Sequence, residues 1–352
     1  MRVLIDICHP AHVHFFRWIA AILEQRGHEV LVTSRDKEVT LRLLNEHGWK
    51  HQQLSSASKS GTRGLLWELF VRNFALWRKV KEFRPDVMAA IGGIFIAQVG
   101  YLSRTPSVVF YDTENAKLQN LLTYPFASLV VVPNCYESWV PRGHVRYQGY
   151  HELSYLHPDR FTPDREVALS NGLAISGETF VLRVVSWMAN HDVGERGWSP
   201  DLLRQVVRYL ENKGKVILSS EAELPEDLKS QSYRGNPAEL HHVMAFSRLF
   251  VGESATMASE SVVLGIPAIY VAQTGRGYCN EQEMRYGLLR NITELSYNAI
   301  TEAVEIMLTV PMDEMRDRHR TMLDESEDVA EYAASLIINQ VISESTVESD
   351  DY

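Results

Sequence analysis

Cysteine is scarce: the 352 residues hold three, Cys8, Cys135 and Cys279. They are odd in number and far apart, which argues against a disulfide framework and a CxxC metal site and fits a reducing compartment. No apolar run reaches the ~18 residues of a membrane span. The opening MRVLIDI carries Asp6 inside its apolar run and is too short for a signal-peptide core, so it reads as a buried strand. Basic charge is in deficit. Thirty-five Lys and Arg stand against 45 Asp and Glu, a net charge of -10, so the basic footprint of a nucleic-acid binder is missing. Internal repeats, low-complexity tracts, GxGxxG and HExxH are missing too, which leaves a dinucleotide fingerprint and a zinc-protease motif unsupported. What is present is an ordinary globular composition, 45% hydrophobic and 23% charged, at a length that suits two domains. A cytoplasmic location is expected.

Short β-branched runs at 3–7, 29–33, 87–91, 107–111 and 129–132 alternate with helical periodicity at 14–25, about 37–47 and 65–83. Residues 149–164 break the pattern with Gly, Pro and aromatics and read as a hinge. The alternation then restarts, with strands at 180–185, 216–219, 249–251 and 268–271 and helices at 202–213, 239–246 and 257–264. Such alternation predicts α/β architecture: two consecutive Rossmann-like, doubly wound parallel sheets, over 1–150 and 151–325. A C-terminal helix, packing back on the first domain, and a frayed acidic tail from 343 complete the chain over 326–352. Ligands of open α/β sheets bind beyond the carboxyl ends of the strands, and two such domains facing each other form a cleft.

Several segments at strand ends bear polar groups. After the first strand, Cys8-His9-Pro10-Ala11-His12-Val13-His14 leads into a helix whose free N–H groups suit an anion or a sugar hydroxyl. His12 is the candidate base; His12 and His14 are read as lying ahead of the regular helix. The alternative is a capping turn with incidental histidines. Gly92-Gly93 allows close backbone approach, or simply makes a tight turn. Asp112-Thr113-Glu114-Asn115 offers two carboxylates and an amide to sugar hydroxyls, with Glu114 the second candidate base; otherwise Asp112 or Thr113 caps the next helix. In the second half, Arg183 sits inside a strand and needs a partner. The loop after it carries His191 and Asp192. The strongest segment is 251–268, where Ser254, Thr256 and Met257 open a small-residue helix suited to phosphate and Glu260 lies one turn in, placed to take a ribose. The competing reading of Glu260 is an exposed helix glutamate. Residues 59–84 combine seven Lys and Arg with Leu65, Leu66, Trp67, Phe70, Phe74, Leu76 and Trp77. Either this helix lies on anionic lipid, or it packs its apolar face on the sheet with solvated charges opposite.

These residues together resemble the GT-B glycosyltransferase superfamily. Ser254 through Glu260, Gly265 and Pro267 is similar to the donor-nucleotide helix of the N-acetylglucosaminyltransferases that make lipid II, where a ribose-binding glutamate precedes Gly-x-Pro. Pro85-Asp86-Val87 with Gly92-Gly93, His12-Val13 and Arg26-Gly27-His28-Glu29-Val30 resemble the same enzymes. Over nearly the whole chain, DICHPAHVHFF, GYHELSYLHP, WMANHDVG and SATMASESVVLGIPA resemble domain of unknown function 354, common in archaea and grouped with GT-B enzymes and the non-hydrolysing UDP-N-acetylglucosamine 2-epimerases. The resemblance implies a glycosyltransferase using a nucleoside-diphosphate sugar of UDP type, with no separate cofactor and no metal. Glu260 would hold the ribose, Ser254 to Met257 the diphosphate, Arg183 or His191 the leaving-group charge, and Gly92, Gly93 and Asn115 further substrate atoms. The acceptor would be a glycan or a lipid-linked molecule, with 59–84 as a peripheral contact at the inner face of the membrane. The alternatives are a nucleotide-sugar 2-epimerase using Asp112, Glu114, His191 and Glu253, and a non-catalytic nucleotide-sugar-binding protein of a surface-glycan pathway. Two departures stand out: Pro10-Ala11 replaces Gly-Gly before His12, and the loop after the first strand of the second half lacks a Gly-Gly-Ser turn.

Overall fold

A computed structural model describes residues 1–36, 40–46, 48–56, 61–185, 197–220 and 223–349. The chain forms two compact units, Met1–Tyr155 with Glu327–Tyr352, and Leu156–Ser326.

Unit 1 holds β1 (Arg2–Ile7), α1 (Pro10–Gln25), β2 (Glu29–Asp36), α2 (Thr40–Glu46), β3 (His51–Ser56), α3 (Gly61–Phe83), β4 (Val87–Ile91), α4 (Ile94–Ser103), β5 (Ser107–Phe110), α5 (Lys117–Thr123), β6 (Leu129–Pro133) and β7 (Val145–Tyr147). All strands are parallel, in the order β3-β2-β1-β4-β5-β6-β7. The order reverses between β1 and β4, the place where a doubly wound sheet opens a crevice at its carboxyl edge. β1, β4, β5 and β6 are near-continuous apolar runs because helices cover both faces.

The short α6 (Leu153–Leu156) carries the chain into unit 2, which holds α7 (Arg165–Ser170), β8 (Thr179–Val184), α8 (Pro200–Glu211), β9 (Lys215–Ser220), α9 (Leu240–Ala245), β10 (Leu249–Gly252), α10 (Ala255–Val263), β11 (Ala268–Val271), α11 (Gly277–Met284), β12 (Leu289–Ile292), α12 (Tyr297–Thr309) and α13 (Met312–Asp324). Its parallel order is β12-β11-β10-β8-β9, with the reversal between β8 and β10. The last helix, α14 (Val329–Ser349), belongs to unit 1 and packs on α1, burying Ala330, Ala333, Ala334 and Ile337.

The structure corrects the sequence reading in three places. α1 starts at Pro10, with His9 as its N-cap accepting the Ala11 N–H at 3.3 Å, so His12 and His14 lie within the helix. Strands β3, β7 and β12 were not expected; each is a sheet edge, where one-sided pairing permits sequences such as HQQLSS. Neither Asp112 nor Thr113 caps α5, whose N-cap is Ala116.

Candidate functional site

In unit 1 the polar groups gather at the β1/β4 reversal. β1 ends in a buried carboxylate, Asp6, whose Oδ1 accepts from Arg72 Nη2 at 2.6 Å and from Thr33 Oγ1 at 2.7 Å. Arg72 of α3 is fully buried; it also donates to the Ser34 carbonyl at 3.2 Å and Ser55 Oγ at 2.8 Å, and its guanidinium lies 4.8 Å from the Phe95 ring centroid. Two charges so placed are tolerable only as a hydrogen-bonded pair. Arg35 and Glu68 form a second pair at 2.7 Å. Burial, reinforced by Asp6, pushes the Cys8 thiol far up, so this cysteine stays protonated.

Asp6, Arg35 and Glu68 of these pairs line a cavity of about 690 Å³. His9 and His12 line it beside Asp6 and Cys8, and Gly93 lines it from the β4 end. Leu69 of α3, Phe95 of α4 and Leu118 and Leu122 of α5 give it apolar walls. His12 Nδ1 accepts the Cys8 N–H at 3.3 Å, so a neutral His12 carries its proton on Nε2. Gly92 and Gly93 both take left-handed backbone, φ +69° and +47°. The turn they make directs the Gly92 carbonyl to the Thr123 hydroxyl at 3.1 Å, while Gly93 caps α4.

Beyond β5, Asp112 Oδ2 accepts from Nδ1 of His151 at 3.0 Å. Burial works against the Asp112 carboxylate, but the His151 imidazole and the Thr113 hydroxyl outweigh it and hold Asp112 down at about 2. The bond fixes the His151 tautomer and leaves Nε2 buried, without a hydrogen-bond partner among the described residues. Phe15 and Tyr147 flank that ring. The Glu114 carboxylate meets the Glu137 N–H at 3.5 Å and Asn115 is exposed; neither lines the cavity.

In unit 2 the segment read from sequence is a strand, a capped turn and a helix. Ser254 Oγ caps α10 by accepting the Met257 N–H at 3.3 Å, which occupies that donor; the turn holds Thr256. Glu260 is buried, 6% exposed, and its Oε1 meets Nε2 of His241 from α9 at 3.0 Å, which excludes the exposed-glutamate alternative. Gly265, at φ +82°, ends the helix. Arg183 donates to Ser219 Oγ at 2.8 Å on the neighbouring strand β9. Glu253 accepts the Val185 N–H at 3.0 Å and the Trp198 N–H at 2.7 Å, joining the two sides of the chain around 186–196. His191 and Asp192 fall outside the described residues.

Asp6, Arg72, His151 and His241 were not singled out from the sequence. Arg72 was findable: Glu68, Arg72, Leu76 and Val80 recur every four residues and all face inward. The other three carry no local signal, because their partners Thr33, Asp112 and Glu260 are remote in sequence. Among the described residues no group of three or more His, Cys, Asp or Glu is placed to hold a metal ion.

A family model described as a protein of unknown function, DUF354, matches residues 1–340. The chain belongs to the DUF354 family. Over 285 residues it is 22% identical to the uncharacterized protein MJ0665 of Methanocaldococcus jannaschii, covering 76% of this chain and 81% of that protein. Among solved structures it is similar to the UDP-GlcNAc 2-epimerase of Neisseria meningitidis bound to UDP-GlcNAc, at TM-score 0.66 and 12% identity over 97% of this chain and 100% of the other. It is also similar to the spinosyn rhamnosyltransferase SpnG complexed with spinosyn aglycone, at TM-score 0.60 and 14% identity over 94% and 98%. At such identities the likeness is one of fold. The fold of this DUF354 chain is α/β of GT-B type, with two parallel sheets of seven and five strands.

Proposed function

We propose that this DUF354 protein is a glycosyltransferase that moves a sugar from a nucleoside-diphosphate sugar of UDP type to a glycan or lipid-linked acceptor. The observation that carries the reading is Glu260, a buried carboxylate one turn inside a small-residue helix that starts at a strand's carboxyl end. A carboxylate so placed accepts both hydroxyls of a ribose. The N–H groups and positive end of α10 face the diphosphate beside Thr256, and Arg183 or His191 offsets its charge. In unit 1 the acceptor hydroxyl attacks the anomeric carbon, the bond to the diphosphate breaks, and the hydroxyl proton goes to His12, or to Glu114 as second choice. Gly93, which lines the cavity, completes the substrate contacts there; Gly92 and Asn115 would act only from outside it.

One observation favours a second reading, a non-hydrolysing 2-epimerase: His12, Asp112 and His151 bring acid–base groups together in unit 1, and the GT-B neighbours include an epimerase bound to UDP-GlcNAc. Incubation with UDP-GlcNAc alone separates the two. A transferase leaves the sugar unchanged until an acceptor is added; an epimerase interconverts it without one. Binding of UDP-GlcNAc with no turnover under either condition would leave a non-catalytic nucleotide-sugar-binding protein. Under the transferase reading α3 gives a peripheral membrane contact that brings the protein to lipid-linked acceptors. Among the described residues no helix is long and apolar enough to cross a membrane.

A further inference from the structure

We propose that the cavity of unit 1 takes a neutral amphiphilic alcohol, an aliphatic or prenyl body bearing one hydroxyl, in preference to a free sugar or a lipid phosphate. The proposal rests on the glycosyl-transfer reading and names its acceptor class. At about 690 Å³ the cavity lies within the roughly 300–1,000 Å³ usual for small-molecule sites. Its polarity is graded. Asp6, His9, His12, Arg35, Glu68 and Gln119 supply its polar lining; Leu69, Ile94, Phe95 and Leu122 supply apolar walls. Leu118 lines the cavity while 72% exposed, so the apolar wall continues to the surface.

The charges at the floor decide between head groups. Asp6 is paired with Arg72, and Glu68 with Arg35. The lining itself holds two carboxylates, Asp6 and Glu68, against one guanidinium, Arg35, so a phosphate placed there meets more repulsion than attraction. A free sugar carries hydroxyls around its whole rim, and those facing Leu69, Ile94, Phe95 and Leu122 would be left unsatisfied even where others meet the polar lining. A single hydroxyl at the His12 end, with hydrocarbon running out past Leu122 and Leu118, satisfies both ends of the cavity.

Calorimetric titration of the full chain with farnesol, farnesyl phosphate, N-acetylglucosamine and UDP tests this. The expected result is that farnesol binds, farnesyl phosphate binds about tenfold or more weakly than farnesol, and N-acetylglucosamine does not compete. Leu122→Glu and Leu118→Glu replace half-exposed or exposed side chains, so the fold should survive them. Each should weaken farnesol by about tenfold or more and leave UDP binding unchanged, because a charge enters the apolar wall of unit 1 alone. No farnesol binding, a preference for the phosphate or the sugar, or full farnesol affinity in Leu122→Glu would overturn the proposal. Farnesol binding without UDP binding would overturn the transferase reading and leave the cavity's ligand class standing.

Discussion

At the scale of single residues, the two candidate sites have opposite weaknesses. Glu260 has a partner, so its mutation must keep that partner. Glu260→Gln preserves the side chain's shape beside His241 and removes the charge that a ribose diol would use. UDP affinity should fall by about 1–3 kcal/mol, the worth of hydrogen bonds to a charged group; an unchanged Kd would take Glu260 out of the site. His12 needs a similar choice. Because Nδ1 accepts the Cys8 N–H, His12→Asn replaces the acceptor in kind but not the titratable ring. Turnover should drop by about 10²–10⁴-fold with the urea midpoint and UDP affinity unchanged, the usual contribution of general base catalysis. Loss of stability in parallel would make His12 a structural cap. Asp112 supplies a pH test. Its folded-state value near 2 lies below the ordinary carboxyl value of 3.8, so its contribution is full above about 4 and lost as pH falls toward 2. Asp112→Asn should therefore cost up to about 2 kcal/mol in urea unfolding at pH 7, and the difference from the parent should shrink below pH 4. A difference constant down to pH 2 would show that the His151 pair contributes nothing through charge.

At the scale of elements, α3 departs from the usual amphipathic rule in its first half. Its charged residues Glu68 and Arg72 face inward with Leu76 and Val80, and Trp67, Phe70, Phe74 and Trp77 face outward. The reading of an apolar face on the sheet with solvated charges opposite holds for Leu76 and Val80 against Arg78, Lys81 and Glu82, and is broken at Glu68 and Arg72 for a definite reason. Asp6 at the end of β1 needs a buried cation, and Arg72 is the residue that reaches it. Arg72→Met should cost about 3–5 kcal/mol, because it leaves Asp6 buried and unpaired; adding Asp6→Leu should recover most of that loss. Urea midpoints of the single and double variants check this, and a double variant no better than the single would show that the pair is not what fastens α3 to β1. The same contrast says what was legible in the sequence. Buried central strands such as SVVF and LVVVP announce themselves because both faces are apolar, and the 251–268 segment did so because strand, cap, small-residue helix and Gly-x-Pro lie in one stretch. The edge strands β3, β7 and β12 lacked a long apolar run, whereas the edge strand β9 has one at 216–218 and was legible. The charged floor of the cavity was hidden because Asp6, Thr33 and Arg72 lie up to 66 positions apart and only the sheet order unites them.

At the scale of the whole molecule, charge and hydrophobicity are unevenly distributed. The chain carries a net charge of -10, which repels anionic membranes at long range. Yet α3 exposes Trp67, Phe70 and Phe74 to 69%, 66% and 55%, and its last turns carry Arg78 and Lys81, the latter 5.8 Å from the Trp77 ring centroid. Aromatic rings and a few basic groups on one helix are the elements of interfacial binding, each base near an anionic surface contributing about 1 kcal/mol and the rings adding burial in the headgroup region. Arg78 and Lys81 must therefore outweigh the repulsion of the rest, which makes the balance sensitive to salt. The full chain should float with vesicles containing phosphatidylserine at low ionic strength and less so as salt rises, since the basic attraction is screened while the ring contribution persists. Trp67→Ser with Phe70→Ser and Phe74→Ser should abolish flotation at every salt concentration, and Arg78→Gln with Lys81→Gln should remove the salt dependence along with most of the binding. If the parent protein stays at the bottom of the gradient at low salt, the aromatic face has another occupant and the peripheral contact is withdrawn.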